Sequence, residues 1–186
     1  MDNGASSYRR FLNGDKKAFD EIVTAYRDSL TFFIHRYVRD LAAAEDIAID
    51  VFTELIVYPK RYNFKTGLKT YLFMIGRSKS LDYLRHHRKF TMVDISELEE
   101  MLTDEFILEE QILADERKRL LNEAMEQLPE DMRIAIHLVY FEELSYEETA
   151  RIMHKTKKQV DNLLYRGKAL LRTILGKEEN IFEKNE

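Results

Sequence analysis

The sequence predicts an all-α fold of two small helical domains joined by an acidic linker. Three observations lead there. Six glycines and two prolines in 186 residues are too few for a chain of many short strands and turns. Apolar residues recur at the i, i+3, i+4, i+7 spacing of a buried helix stripe through most of the chain. Charge, finally, is sorted into blocks. Nine Lys/Arg against one acid, Asp82, lie between Pro59 and Phe90. Ten Asp/Glu and no base lie between Val93 and Glu116, and seven Lys/Arg against one acid, Asp161, between Arg151 and Arg172. Solvated helix faces usually mix both signs. Despite a net charge of -5, this segregation predicts two surfaces for an anionic polymer, separated by a segment that repels it.

The domains are expected at 1–90 and 113–186, with the linker over 91–112. In the first domain, Phe19, Ile22, Val23, Tyr26, Leu30, Phe33, Ile34, Tyr37, Val38 and Leu41 form one face of a long helix. A second helix from about Ala43 to Ile56 buries Ile47, Val51, Phe52 and Leu55, and stacks Asp46, Asp50 and Glu54 four residues apart. Like charges at that spacing repel by a few tenths of a kcal/mol per pair, so a basic partner is expected for this stripe. Pro59 ends the helix, and 62–67 reads as a loop carrying Tyr62 and Phe64. A third helix from about Leu68 to Lys89 turns Leu68, Tyr71, Leu72, Ile75 and Leu84 inward and leaves Arg77, Lys79, Arg85 and Arg88 elsewhere on its surface. Beyond the linker a new periodic pattern starts near Phe106. Pro129 with Glu130 and Asp131 marks the first turn of a helix running to about Phe141.

The most specific local signal lies between Ser145 and Leu175. Ser145 and Glu148 form a capping box, as do Thr156 and Gln159, with only His154-Lys155 between the two helices they open. That is the pattern of a helix-turn-helix unit. The first half of the second helix presents Lys157, Lys158, Gln159, Asp161, Asn162, Tyr165 and Arg166, the residue types that read base edges in a major groove. Lys168 and Arg172 are better placed for phosphates.

Other chemistries are excluded. With no cysteine there is no thiolate nucleophile, disulfide or thiolate zinc site, and a reducing cytoplasm is the expected home. His35, His86, His87, His137 and His154 make no metal-ligand spacing, and there is no glycine-rich phosphate loop. The chain is expected to need no metal or cofactor and to catalyse no reaction. No apolar run is long enough to span a bilayer, so no membrane insertion is expected.

Nearly the whole chain resembles the extracytoplasmic-function (ECF) sigma factors of the sigma-70 family. Phe19-Asp20-Glu21-Ile22-Val23 with Tyr26 is similar to the start of that family's region 2. Ala44-Glu45-Asp46-Ile47 with Asp50-Val51-Phe52 resembles its polymerase-binding helix, and Leu68-Lys69-Thr70-Tyr71-Leu72 with Asp82-Tyr83-Leu84-Arg85 its promoter-melting helix. Leu128-Pro129-Glu130 and Tyr140 to Glu148 resemble region 4. The resemblance implies that Asp46, Ile49, Asp50 and Thr53 meet core RNA polymerase. It implies that Tyr62, Asn63, Lys69, Arg77, Ser78, Lys79, Arg85 and Arg88 serve the minus-ten element, with Tyr62 packing against a flipped base. Lys157, Lys158, Gln159, Asp161, Asn162, Tyr165, Arg166 and Lys168 would serve the minus-thirty-five element. An anti-sigma factor is a further expected partner. Ile49 stands where the family's helix usually carries Gln, Ser78 where an Asn is common, and Asp161 where an Arg is frequent.

Two rival functions use parts of the same pattern. A sigma-mimicking decoy that binds an anti-sigma protein should lose its basic DNA-facing positions, and this chain keeps both basic blocks. A helix-turn-helix regulator acting without polymerase leaves the acidic stripe unexplained.

Overall fold

The computed structural model describes residues 4–91 and 115–183, with side chains over 4–87 and 119–176. The linker expected over 91–112 lies outside the described residues except for Thr91, as does the Arg88 side chain. Every regular element among the described residues is helical. They are α1 (Ala5–Leu12), α2 (Lys17–Val38), α3 (Leu41–Val57), α4 (Leu68–Thr91), α5 (Asp115–Glu126), α6 (Glu130–Ile136), α7 (Tyr146–Met153) and α8 (Lys157–Glu183). A 3-10 turn, Pro59–Arg61, follows α3, and α6 runs on into a π turn, His137–Phe141. Contacts divide the chain into two compact units.

In the N-terminal unit α2 is the central helix and packs on α1, α3 and α4. Leu30, Phe33 and Ile34 of α2 and Leu68, Leu72 and Phe73 of α4 are fully buried, each contributing about 1.5–3 kcal/mol of transfer free energy. The Phe33 and Phe73 rings meet at 4.7 Å. Gly76 permits the close approach here, since a Cβ on it would stand 3.0 Å from Leu30 Cδ1. The long first helix expected from Phe19 to Leu41 is broken at Arg39, whose φ of 56° reverses the chain. Asp40 then caps α3, accepting from the Ala43 amide at 3.0 Å. Helix α1 has no counterpart in the sequence reading. It packs on α2, and its Tyr8 is fully buried and donates to the Leu55 carbonyl at 2.8 Å.

In the C-terminal unit α5 and α6 pack on α8. Gly167 sits at the α6 crossing, where a Cβ would come within 2.8 Å of Ile136 Cδ1. Both capping boxes close as expected. The Ser145 amide donates to Glu148 Oε2 at 3.0 Å and the Glu148 amide to Ser145 Oγ at 3.2 Å. The Thr156 amide donates to Gln159 Oε1 at 2.8 Å and the Gln159 amide to Thr156 Oγ1 at 3.2 Å. Pro129 stands at the N-cap rather than in the first turn of α6. The turns before α7 and α8 pass through Glu143 at φ 54° and His154 at φ 53°, left-handed positions that cost a non-glycine residue about 1–3 kcal/mol. Ser145→Ala removes the hydroxyl from the first box and should destabilise this unit by about 1 kcal/mol, read as a lowered urea midpoint at unchanged slope.

Candidate nucleic-acid and partner interfaces

The outer face of α3 is apolar at its centre and acidic at its side. Ile49 is 62% exposed, with Ile56 at 50% and Val57 at 55%. Thr53 is also exposed, its hydroxyl donating to the Ile49 carbonyl at 2.9 Å. Helical periodicity puts Ile49, Thr53 and Ile56 in one row, beside exposed Asp46 and Asp50. The acidic stripe is partly neutralised inside the chain, contrary to the expectation of a bare stripe. Lys79 of α4 lies 3.6 Å from both Asp50 and Glu54, and Arg61 pairs with Glu54 at 2.7 Å. Lys79, expected at DNA phosphates, is thus held toward α3. The partners come from beyond the helix, so no i, i+4 rule reveals them. Arg61, Ile56 and Val57 are the residues the site reading missed here.

The loop after α3 is closed on itself. The Tyr62 hydroxyl donates to the Thr66 carbonyl at 2.7 Å, and Asn63 Oδ1 accepts from the Lys65 amide at 3.0 Å, an Asx turn. Tyr62 is 3% exposed, its ring within 4.6–5.6 Å of those of Phe64, Tyr71 and Tyr8. The Tyr62 ring, which the resemblance implies packs against a flipped base, is here a buried support of the loop. Burial beside Tyr71 and Tyr62 pushes the Tyr8 hydroxyl up to about 12, which keeps it a donor at any ordinary pH.

Along α4, Ser78 and Arg85 are exposed, while Lys69 and Arg77 are half-buried. Arg85 pairs with Asp82 one turn back, and Lys69 Nζ lies 5.8 Å from the Phe73 ring centroid. On α8 the eight candidate residues divide by what they touch. Lys157 pairs with Glu147 of α7, and its ammonium is held above the ordinary lysine value by that hydrogen bond. Lys168 donates to the Tyr140 hydroxyl at 3.1 Å and lies 5.6 Å from that ring's centroid, with its pKa raised by the same hydroxyl. Gln159, Asn162 and Arg166 line an open cleft with Lys155 and Leu163, and Lys155 is tied to Asp131 at 2.9 Å. Lys158, Asp161 and Tyr165 are exposed, Tyr165 by 75%. Glu147 and Tyr140 escaped the sequence reading because a capping acid and a turn aromatic have sufficient structural reasons of their own.

Residues 22–90 match the family description Sigma-70 region 2, and residues 118–171 match Sigma-70, region 4. The RNA polymerase sigma-H factor of Pseudomonas aeruginosa is 30% identical over 169 residues, covering 86% of each chain. The ECF RNA polymerase sigma factor SigM of Bacillus subtilis is 26% identical, covering 87% of this chain and 97% of its own. The chain is an ECF sigma factor of the sigma-70 family. As such it works with core RNA polymerase and promoter DNA in starting transcription, and it is not an enzyme in its own right. The fold of this sigma factor is also that of the Bartonella quintana sigma factor RpoE, solved with the anti-sigma factor NepR. The TM-score is 0.70 at 21% identity, covering 86% of this chain and 98% of the other. Among the described residues no helix is long and apolar enough to cross a membrane, and no cluster of His, Asp and Glu is placed to hold a metal.

Proposed function

We propose that residues 1–90 act as region 2 and residues 113–186 as region 4, with distinct faces for polymerase and for the two promoter elements. Ile49, Thr53, Asp46 and Asp50 dock on core polymerase. The loop at Asn63 with Lys69, Arg77, Ser78, Arg85 and Arg88 serves the minus-ten element, with Tyr62 holding the loop from inside and Lys79 joining the DNA only if it leaves Asp50 and Glu54. Lys158, Gln159, Asp161, Asn162, Tyr165 and Arg166 read the minus-thirty-five element, while Lys157 and Lys168 lie at its edges near phosphates. The protein works in the cytoplasm. An anti-sigma protein regulates it by covering one of these faces, as the partner named with the Bartonella quintana structure suggests.

The observation that carries this reading is the exposed row Ile49, Thr53, Ile56 on the outer face of α3, with Val57 beside it, because large apolar side chains grouped in solvent mark a docking surface. The test is reconstituted transcription on a randomised promoter pool with core polymerase, with and without the protein. Selective enrichment of templates sharing two spaced elements is expected. Tight core binding with no promoter opened would instead leave a decoy.

A further inference from the structure

The last turn of α3 lacks a hydrogen-bond donor that a helix would ordinarily have. In an α-helix the Leu55 carbonyl accepts from the amide of residue 59, and residue 59 is a proline, which has no N–H. The bond one residue earlier is made, the Tyr58 amide donating to the Glu54 carbonyl at 2.9 Å. Leu55 is 2% exposed, which keeps water from its carbonyl, and the last turn of α3 holds no lysine or arginine to serve instead. The donor comes from 47 residues earlier in the chain: the Tyr8 hydroxyl of α1 reaches the Leu55 carbonyl at 2.8 Å. Burial pushes the pKa of that hydroxyl up to about 12, so it stays protonated and able to donate. Helix α1 is in turn seated against α2. Ser7 Oγ and Arg10 Nη1 both donate to Glu21 Oε2 at 3.0 Å, and a Cβ on Gly4 would stand 2.7 Å from the Tyr26 hydroxyl oxygen. The residues that directly follow the braced carbonyl are the exposed Ile56, Val57 and Tyr58.

We infer that Tyr8 is a positioning residue for polymerase docking: its hydroxyl stands in for the amide that Pro59 lacks and fixes the last turn of α3, where Ile56 and Val57 end the docking face. The inference rests on the reading that this face of α3 binds core polymerase. Tyr8 is fully buried, so it acts through α3 and not by touching the partner. Without the hydroxyl, the Leu55 carbonyl is a buried acceptor with no donor, a costly state. The turn relieves it by opening to water, which carries Ile56 and Val57 away from the row headed by Ile49. Polymerase must then close the turn as it binds, and its apparent affinity falls by the fraction of molecules in which the turn is closed. In this way α1, which lies ahead of the matched 22–90 segment, takes part in docking through one hydrogen bond.

Tyr8→Phe keeps the ring and removes only the hydroxyl. Titration of labelled core polymerase with the full chain should show binding weakened about 2- to 12-fold, the net worth of one hydrogen bond, with helicity by circular dichroism retained. Pro59→Ala is the deciding second variant, because alanine returns an amide donor at residue 59. On the Pro59→Ala background, Tyr8→Phe should change core affinity by less than about two-fold, the two substitutions being coupled through one carbonyl. A tyrosine that merely packed α1 onto the fold would cost the same on either background. Equal loss on both backgrounds, or no loss from Tyr8→Phe alone, overturns the inference. Ile49→Lys, titrated alongside, tests the reading beneath it: core affinity unmoved by that variant would overturn docking through this face of α3 itself.

Discussion

Ile49→Lys is expected to weaken binding to core polymerase about 30- to 150-fold without changing the fold. Ile49 is 62% exposed, so its own unit loses almost no packing when it is replaced. Lysine is at least as good a helix former as isoleucine, so α3 should persist. At an interface the side chain heads the row Ile49, Thr53, Ile56, and truncation of a well-packed anchor costs roughly 2–3 kcal/mol. An ammonium there adds a desolvation penalty and repels any basic partner drawn by Asp46 and Asp50. Titration of labelled core polymerase measures the effect, with circular dichroism to confirm helicity. An affinity within two-fold of wild type would remove this face from the docking surface. Reversing Asp46 and Asp50 should do less and fade with salt, because exposed ion pairs are weak and Asp50 already has Lys79 at 3.6 Å.

That comparison shows what a linear sequence conveys and what it withholds. The helical fold and both capping boxes were legible, since each rests on residues three or four apart. Helix α1 was not. Its 8 residues carry three large apolar side chains, Tyr8, Phe11 and Leu12, and its N-cap, Gly4, offers no side-chain bond. What holds it is tertiary: Tyr8 reaches Leu55, 47 residues away. The acidic stripe was visible as a pattern, but its neutralisation by Lys79 depends on how α4 lies against α3. Two aromatics in one loop were equally visible, but their spacing does not tell that Tyr62 is buried while Phe64, at φ 60°, is half-buried. In α8 the composition named the reading residues, while Glu147 and Tyr140, brought in from earlier in the chain, draw Lys157 and Lys168 to its edges.

Arg133→Ala is expected to destabilise the C-terminal unit by about 2–4 kcal/mol, and Arg133→Met to recover more than half of that. Arg133 is 1% exposed, among the largest fully buried side chains. Its Nη1 donates to Glu126 Oε2 at 3.1 Å, joining α6 to the end of α5. Two causes of the loss can be separated. If the pair itself stabilised the unit, both variants would suffer alike. The Glu126 side chain, however, is 46% exposed and can rehydrate once its partner is gone, so little unpaired charge is left buried. The remaining cost is the volume vacated by the arginine stem, comparable to truncating a buried Leu or Met, and methionine refills most of it. Urea unfolding of the full chain measures both variants, and equal losses would assign the effect to the ion pair instead. The functional consequence follows from the division of the chain into two compact units. Arg133→Ala should lose transcription that depends on the minus-thirty-five element at a temperature where binding to core polymerase through α3 persists. Simultaneous loss of both activities would mean that the stability of one unit depends on the other.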